Sequence, residues 1–265
     1  MKAMNILEKI AERTKKRIEA RKKALPFDKI MEMAHSGGIA GDFPFEKVLR
    51  TDDIAFICEI KKASPSKGII AEDFSYLAIA RDYEAAGAAA ISVLTEPYWF
   101  MGDDRYLCEI ADTASLPLLR KDFTVDEYMI YEAKVLGASA VLLICSILDQ
   151  ETLAEYVCAA HSLGLSALVE VHDENEMHMA LRAGARVIGV NNRNLKTFEV
   201  DINNSIRLRK LAPKEIIFVS ESGVRTAGDI DTLRKNGVDA VLVGETLMRS
   251  PDKKTALAEL RDGST

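Results

Sequence analysis

The chain has four cysteines in 265 residues, Cys58, Cys108, Cys145 and Cys158, and no two stand at the spacing of a metal knuckle or a redox pair. That argues against a disulfide framework or a structural zinc site. Cys58, Cys145 and Cys158 fall in apolar runs, and the four are expected to be reduced core thiols. The four histidines, His35, His161, His172 and His178, are scattered without metal-ligand spacing. No apolar run approaches the ~20 residues that cross a bilayer. The first twenty residues carry charges throughout and contain no apolar segment of a secretory signal. An excess of positive charge is missing too: the net charge is −6, which withholds the basic footprint of a nucleic-acid-binding protein. No GxGxxG follows a strand-like run, so no dinucleotide cofactor is expected. These absences describe a cytoplasmic globular protein that needs no metal or cofactor and meets neither nucleic acid nor membrane.

What is present is a repeated alternation. Eight short runs rich in β-branched residues lie at 54–60, 88–94, 116–119, 138–144, 165–171, 186–190, 216–219 and 240–243, separated by segments of helical spacing such as 126–136, 150–163, 174–183 and 226–236. Strands alternating with helices imply a parallel sheet, because each crossover must span the strand length and cover a face. Gly87, Gly137, Gly164, Gly184 and Gly237 each stand where a helical segment ends and a strand-like run begins, the left-handed position that closes a helix. Eight such units without a long linker favour one closed (β/α)8 TIM barrel over an open doubly wound sheet, and the length fits a single domain of that kind. The barrel is expected over 54–255, with an N-terminal helical extension of about 45 residues over 1–47. In that extension Ile6, Leu7, Ile10, Ala11 and Thr14 fall on one helical face. Lys15, Lys16, Arg17, Arg21, Lys22 and Lys23 follow, either as a solvated face or as part of a cover that draws anions toward the barrel.

In such a barrel, chemistry sits at the C-terminal strand ends. Most of the apolar runs stop at polar clusters. The first ends with Glu59 and Lys61 on one face, the third with Lys121 opposite Arg120, the fifth with Glu170, and the sixth with Asn191 and Arg193 sharing a face. His172 lies beyond Glu170 and reads as a solvated or supporting residue. The seventh and eighth runs end in Ser220-Glu221-Ser222-Gly223 and Val243-Gly244-Glu245. Small residues there let backbone N–H groups approach an anion, and this fold commonly holds phosphate after strands seven and eight. The residues alone therefore describe acid–base chemistry on a phosphorylated small molecule.

Several stretches carry a more specific resemblance. Glu59-Ile-Lys-Lys-Ala-Ser-Pro-Ser-Lys-Gly68, Ser92-Val-Leu-Thr-Glu96, Leu119-Arg-Lys-Asp-Phe123, Leu168-Val-Glu-Val-His-Asp173, Gly189-Val-Asn-Asn-Arg-Asn-Leu195, Ser220-Glu-Ser-Gly223 and Val243-Gly-Glu245 follow one another as in indole-3-glycerol phosphate synthases. The chain resembles that family over nearly its whole length. It departs at Pro97-Tyr-Trp-Phe-Met-Gly102, where the family more often has a lysine before the aromatic pair, and that bears on the shape of the aromatic pocket.

The resemblance implies a lyase of tryptophan biosynthesis that converts 1-(2-carboxyphenylamino)-1-deoxyribulose 5-phosphate to indole-3-glycerol phosphate, carbon dioxide and water. It implies Lys121 as general acid in ring closure, Glu170 as acid in the later dehydration, and Glu59, steadied by Lys61, as base. Lys61, Asn191 and Arg193 would hold the substrate carboxylate and ring. Phe100, Phe123, Leu142 and Leu195 would line an aromatic pocket, Ser64, Ser222, Gly223, Gly244 and Glu245 would bind the phosphate end, and Glu221 would be a further substrate-binding residue. A monomer is the expected form. Two rival readings are a phosphoribosylanthranilate isomerase, which shares the phosphate loops but not the Glu59, Lys61, Lys121 and Glu170 set, and a non-catalytic metabolite-binding barrel.

Overall fold

The computed structural model describes residues 5–36, 42–194 and 197–262. Eight parallel strands close into a barrel: β1 Ala55–Ile60, β2 Ala90–Leu94, β3 Leu118–Lys121, β4 Ala140–Ile144, β5 Ser166–Val171, β6 Val187–Asn191, β7 Ile217–Glu221 and β8 Ala240–Val243. Each strand pairs with its neighbours in sequence. The ring closes where β8 meets β1, with Ala240 beside Ala55 and Val243 beside Cys58.

Alternation along each strand sorts side chains into two layers. Ile57, Leu119, Leu142, Leu168, Val219 and Leu242 fill the barrel interior, while Phe56, Ile91, Val141, Val169, Ile188 and Val241 pack outward against the helices. The five anticipated glycines all have positive φ, between 70° and 86°, so each closes a helix where a Cβ would be strained.

Two strands run further than their apolar residues. β3 continues through Arg120 and Lys121, and β7 continues through Ser220 and Glu221. Arg120 points away from the barrel and is 2% exposed. Its guanidinium meets Glu132 at 2.7 Å and Asp104 at 2.8 Å, so the outer layer accepts a charge there. Two of the cysteines correct the expected core thiols. Cys58 and Cys145 are buried, but Cys108 and Cys158 are exposed, because each belongs to a helix that buries only one face.

The N-terminal segment forms helices α1 Ile6–Ala24, α2 Phe27–Ser36 and α3 Pro44–Leu49. Asn5 caps α1 and is capped in turn by Glu8, which fixes where the helix starts. Leu7 and Ile10 of α1 join Phe45 and Leu49 of α3 in the cluster that fills the barrel. The basic face of α1 divides. Lys15, Lys16 and Lys23 are exposed, whereas Arg17 meets Asp122 at 2.7 Å, Arg21 meets Glu132 at 2.6 Å, and Lys22 meets Asp126 at 2.6 Å. The remaining helices cover the strands: α4 Tyr76–Ala85, α5 Asp104–Ala111, α6 Tyr128–Val135, α7 Gln150–Ser162, α8 Glu174–Arg182, α9 Asn203–Arg209, α10 Ala227–Lys235, α11 Glu245–Arg249 and α12 Lys253–Asp262. Arg261 of α12 donates to the carbonyl of Gly87 at 3.0 Å, which ties the last helix to the loop before β2.

Candidate active site at the strand ends

A cavity of about 650 Å³ opens at the C-terminal ends of the strands and extends under the first turns of α1, where Ile6, Leu7 and Ile10 form part of its wall. Glu59, Lys61, Lys121, Glu170, Asn191, Arg193, Ser64, Phe100, Phe123, Leu142, Glu221, Ser222, Gly223, Gly244 and Glu245 all line it. Leu195 lies outside the described residues. The candidate residues come from all eight strands and their loops, and the barrel brings them to one mouth.

At the floor is a cluster of charges. Lys121 Nζ lies 2.7 Å from Glu221 Oε2 and 3.8 Å from Glu170 Oε2, and its side chain is 13% exposed. Lys61 is paired with Glu59. Burial alone lowers the pKa of the Lys121 ammonium, but Glu221, Glu170 and Glu59 more than reverse this and hold it above the ordinary lysine value. The three carboxyls differ. Burial raises Glu59, but Lys61 and Lys121 overcome it and leave the group below the usual glutamate value. Glu170 is likewise raised by burial, yet His172 and Lys121 bring it down to about 2. Burial pushes Glu221 up to about 7, and the charge of Glu170 adds to the rise that Lys121 only partly offsets. The resting site thus holds Glu170 as a carboxylate, so its expected role as an acid requires a proton delivered to it.

Glu221 is expected to be a substrate-binding residue beside the phosphate turn. Its carboxylate lies instead against Lys121 at the barrel floor, because β7 continues to that residue and turns it inward. The space it occupies is left by Gly189 of β6, where a Cβ would overlap Glu221 Oε1 and stand 3.1 Å from Leu168. Gly244 leaves room in the same way for the Glu59–Lys61 pair, with Lys61 Nζ 3.0 Å from where its Cβ would be. Neither use of glycine is visible from local sequence, since the residues that need the space lie on other strands.

The phosphate end has a different character. Ser222 and Gly223 take successive left-handed conformations, φ 66° and 95°. Turns that present successive N–H groups to one side make anion-binding concavities. Asn192, buried behind this turn, donates to the carbonyl of Ser222 at 3.0 Å and to Ser220 Oγ at 2.9 Å. Its own Oδ1 accepts from the Ser205 amide at 3.0 Å. Thr246 donates to the carbonyl of Val224 at 2.9 Å and so joins the two loops. Ser64, Lys67, Arg225 and Arg249 line the same end of the cavity. Asn192, Lys67, Arg225 and Arg249 were not among the expected site residues.

An aromatic wall faces this charge. The rings of Phe100 and Phe123 are 6.2 Å apart. The loop bearing Phe100 is fixed by Glu96, whose carboxylate accepts from the amides of Tyr98, Trp99 and Phe100 at 2.7 to 3.0 Å. The departure from the family pattern at 97–102 therefore leaves Phe100 in the cavity wall.

Of the two alternatives for His172, the structure fits the supporting one: Nδ1 lies 2.9 Å from Glu176 Oε2, and Nε2 lies 3.4 Å from Glu170 Oε1. Burial would lower its pKa, but the two carboxylates raise it to about 10.

Comparison with known proteins agrees with this geometry. The family model described as indole-3-glycerol phosphate synthase matches residues 7–260. An indole-3-glycerol phosphate synthase of Ruminiclostridium cellulolyticum is 60% identical over 97% of this chain and 98% of its own length. One of Endomicrobium trichonymphae is 52% identical over 97% of this chain and all of its own length. Among solved structures, a 3-hexulose-6-phosphate synthase from Salmonella typhimurium superposes with a TM-score of 0.65 over 78% of this chain and 97% of that one, at 14% identity, a likeness of fold alone. With its eight closed strands, its charged mouth and these relatives, the chain belongs to the indole-3-glycerol phosphate synthase family.

Proposed function

We propose that the charged mouth described above carries out the ring closure of its family, with Lys121 as the central acid. The chain is a carboxy-lyase that forms indole-3-glycerol phosphate in tryptophan biosynthesis. Its substrate, 1-(2-carboxyphenylamino)-1-deoxyribulose 5-phosphate, presents two anions and a reactive ketone. The phosphate is taken by the turn at Ser222 and Gly223 together with Ser64, Gly244 and Glu245, the last two through their backbone N–H groups. The carboxyphenyl ring lies against Phe100 and Phe123 over Leu142, with its carboxylate on Lys61, Asn191 and Arg193.

Ring closure joins the aromatic carbon to the ketone carbon, and the ketone oxygen takes a proton from the Lys121 ammonium. Loss of carbon dioxide restores the aromatic ring. The hydroxyl then leaves as water with a proton from Glu170, while Glu59, held by Lys61, removes one proton to complete the indole. Two protons are given and one is taken, so each turnover draws one proton from solvent. Positioned acids and bases of this kind contribute ~10² to 10⁴-fold each.

The observation that carries the reading is Lys121. Its ammonium is buried at the cavity floor, kept charged by Glu221 and Glu170, and placed across the cavity from an anion-binding turn. A monomer is taken as the catalytic unit. A cytoplasmic setting is part of the same reading. Purified protein incubated with the carboxyphenylamino sugar phosphate should generate indole fluorescence. A protein that binds this compound and leaves it unchanged would refute the proposal.

A further inference from the structure

Glu170 is asked to give up a proton once per turnover, yet it rests as a buried carboxylate. A proton must reach it from outside the cavity. Behind Glu170, on the side away from Lys121, stands His172, immediately after β5. Its Nε2 is buried and makes no hydrogen bond among the described residues, and the carboxylate oxygen facing it is Glu170 Oε1 at 3.4 Å. Its Nδ1 lies 2.9 Å from Glu176 Oε2, which also accepts the His172 backbone N–H at 2.8 Å. Glu176 belongs to the first turn of α8 and is therefore fixed relative to the strand end. The imidazole does not line the substrate cavity, and its side chain is 16% exposed.

We propose that His172, oriented by Glu176, is the proton donor that supplies Glu170 as the hydroxyl leaves, so that Glu170 returns to its carboxylate once the proton has passed on. The inference rests on the reading of Glu170 as the acid of the dehydration step. In this transfer the Nε2–H bond of the imidazolium breaks and an O–H bond forms on Glu170 Oε1. The electron pair stays on the ring nitrogen, and the neutral ring keeps its Nδ1–H on Glu176. Solvent then restores the imidazolium, whose ring is partly exposed although Nε2 is buried at rest, and the proton taken by Glu59 returns to Lys121, so each turnover consumes one proton. Glu176 acts by holding the tautomer, as carboxylates do for imidazoles generally. The groups around the ring suit this task. Glu170 and Glu176 face it from β5 and α8, Lys121 stands 3.8 Å beyond Glu170, and Asn204 of α9 donates to the His172 carbonyl at 3.1 Å. Cys145 touches the Glu176 carbonyl, and Asp173 caps α8 beside it. The two flanking carboxylates keep the imidazole protonated up to a pH of about 10, so the donor is charged across the physiological range.

The test uses His172→Gln, which keeps a polar side chain but carries no transferable proton, together with Glu176→Gln and Glu170→Gln. His172→Gln should lower kcat by at least ~10-fold, toward the scale of a lost acid–base group, with KM changed less than about two-fold. The alkaline limb of its kcat profile should move to lower pH, because Glu170 must then take its proton directly from water. Added imidazole should restore part of the rate, and Glu176→Gln should show the same shift in milder form. A His172→Gln protein with normal kcat and an unmoved profile overturns the relay. So does a loss of rate that comes with a raised KM and no imidazole rescue, which marks a merely structural role. Glu170→Gln separates the two levels: full turnover in that variant refutes Glu170 as the acid, whereas an inert Glu170→Gln beside a normal His172→Gln refutes the relay alone.

Discussion

Gly189 offers a sharp test of how the catalytic floor is packed. A methyl group at this position would overlap Glu221 Oε1 and press on Leu168 at 3.1 Å. In a strand without such neighbours, replacing glycine by alanine stabilises a protein by about 0.5 to 1 kcal/mol, because the unfolded chain loses freedom. Overpacking a filled core costs about 1 to 3 kcal/mol. Gly189→Ala should therefore be destabilising, by up to about 2 kcal/mol once these opposed effects are combined. Relief is available only if Glu221 swings away and abandons its 2.7 Å contact with Lys121, so turnover should fall at the same time. Urea unfolding and initial rates measure both effects. The decisive comparison adds Glu221→Ala. With the carboxylate gone, the glycine substitution should become neutral or stabilising, a coupling that a double-mutant cycle reads directly. Equal costs in the two backgrounds, or a Gly189→Ala enzyme with unchanged rate and stability, would refute the claim that this glycine exists to admit Glu221.

Other outcomes follow from the same geometry. Lys121→Ala and Glu170→Gln should each lower kcat by at least ~10²-fold in fluorescence assays. Ser222→Asp should weaken substrate binding by placing a negative charge beside the phosphate, which titration calorimetry with a substrate analogue would record as a raised Kd. Arg120→Met should destabilise the fold by about 1 to 3 kcal/mol in urea, because Asp104 and Glu132 would lose their buried partner and keep only the more exposed Arg21. The raised pKa of His172 contributes stability that is fully present below its ordinary value of 6.5 and is lost as pH rises through about 10. Wild-type protein should therefore lose stability between those limits, and His172→Gln should lose less, as urea midpoints at pH 6 and pH 10 would show.

The barrel was legible because its two periods are repeated eight times: apolar runs, helical spacing, and glycines that close one unit and open the next. The strand ends were harder. The apolar pattern breaks off at Leu119 and Val219, yet β3 and β7 continue through Lys121 and Glu221, since a strand that carries an active site must end in residues that the core would refuse. Alternation placed Glu59 with Lys61 and turned Lys121 away from Arg120, and both relations hold. It gave no sign that Glu221 meets Lys121 across the barrel, because those residues are far apart in sequence and adjacent only after closure. The partner of His172 was hidden for a similar reason. Its four-residue spacing from Glu176 is plain, but the pair bridges a strand end and a helix start, where simple helical spacing has no meaning.

The order in which the chain is made gives α1 an unusual schedule. It precedes the barrel in the chain, but its anchoring acids, Asp104, Asp122, Asp126 and Glu132, come roughly a hundred positions afterward. A helix in a protein draws most of its stability from packing its amphipathic face. During synthesis Ile10 and Ile18 therefore wait for partners that β3 and α6 bring, and the roof over the catalytic mouth is written before the parts that seat it.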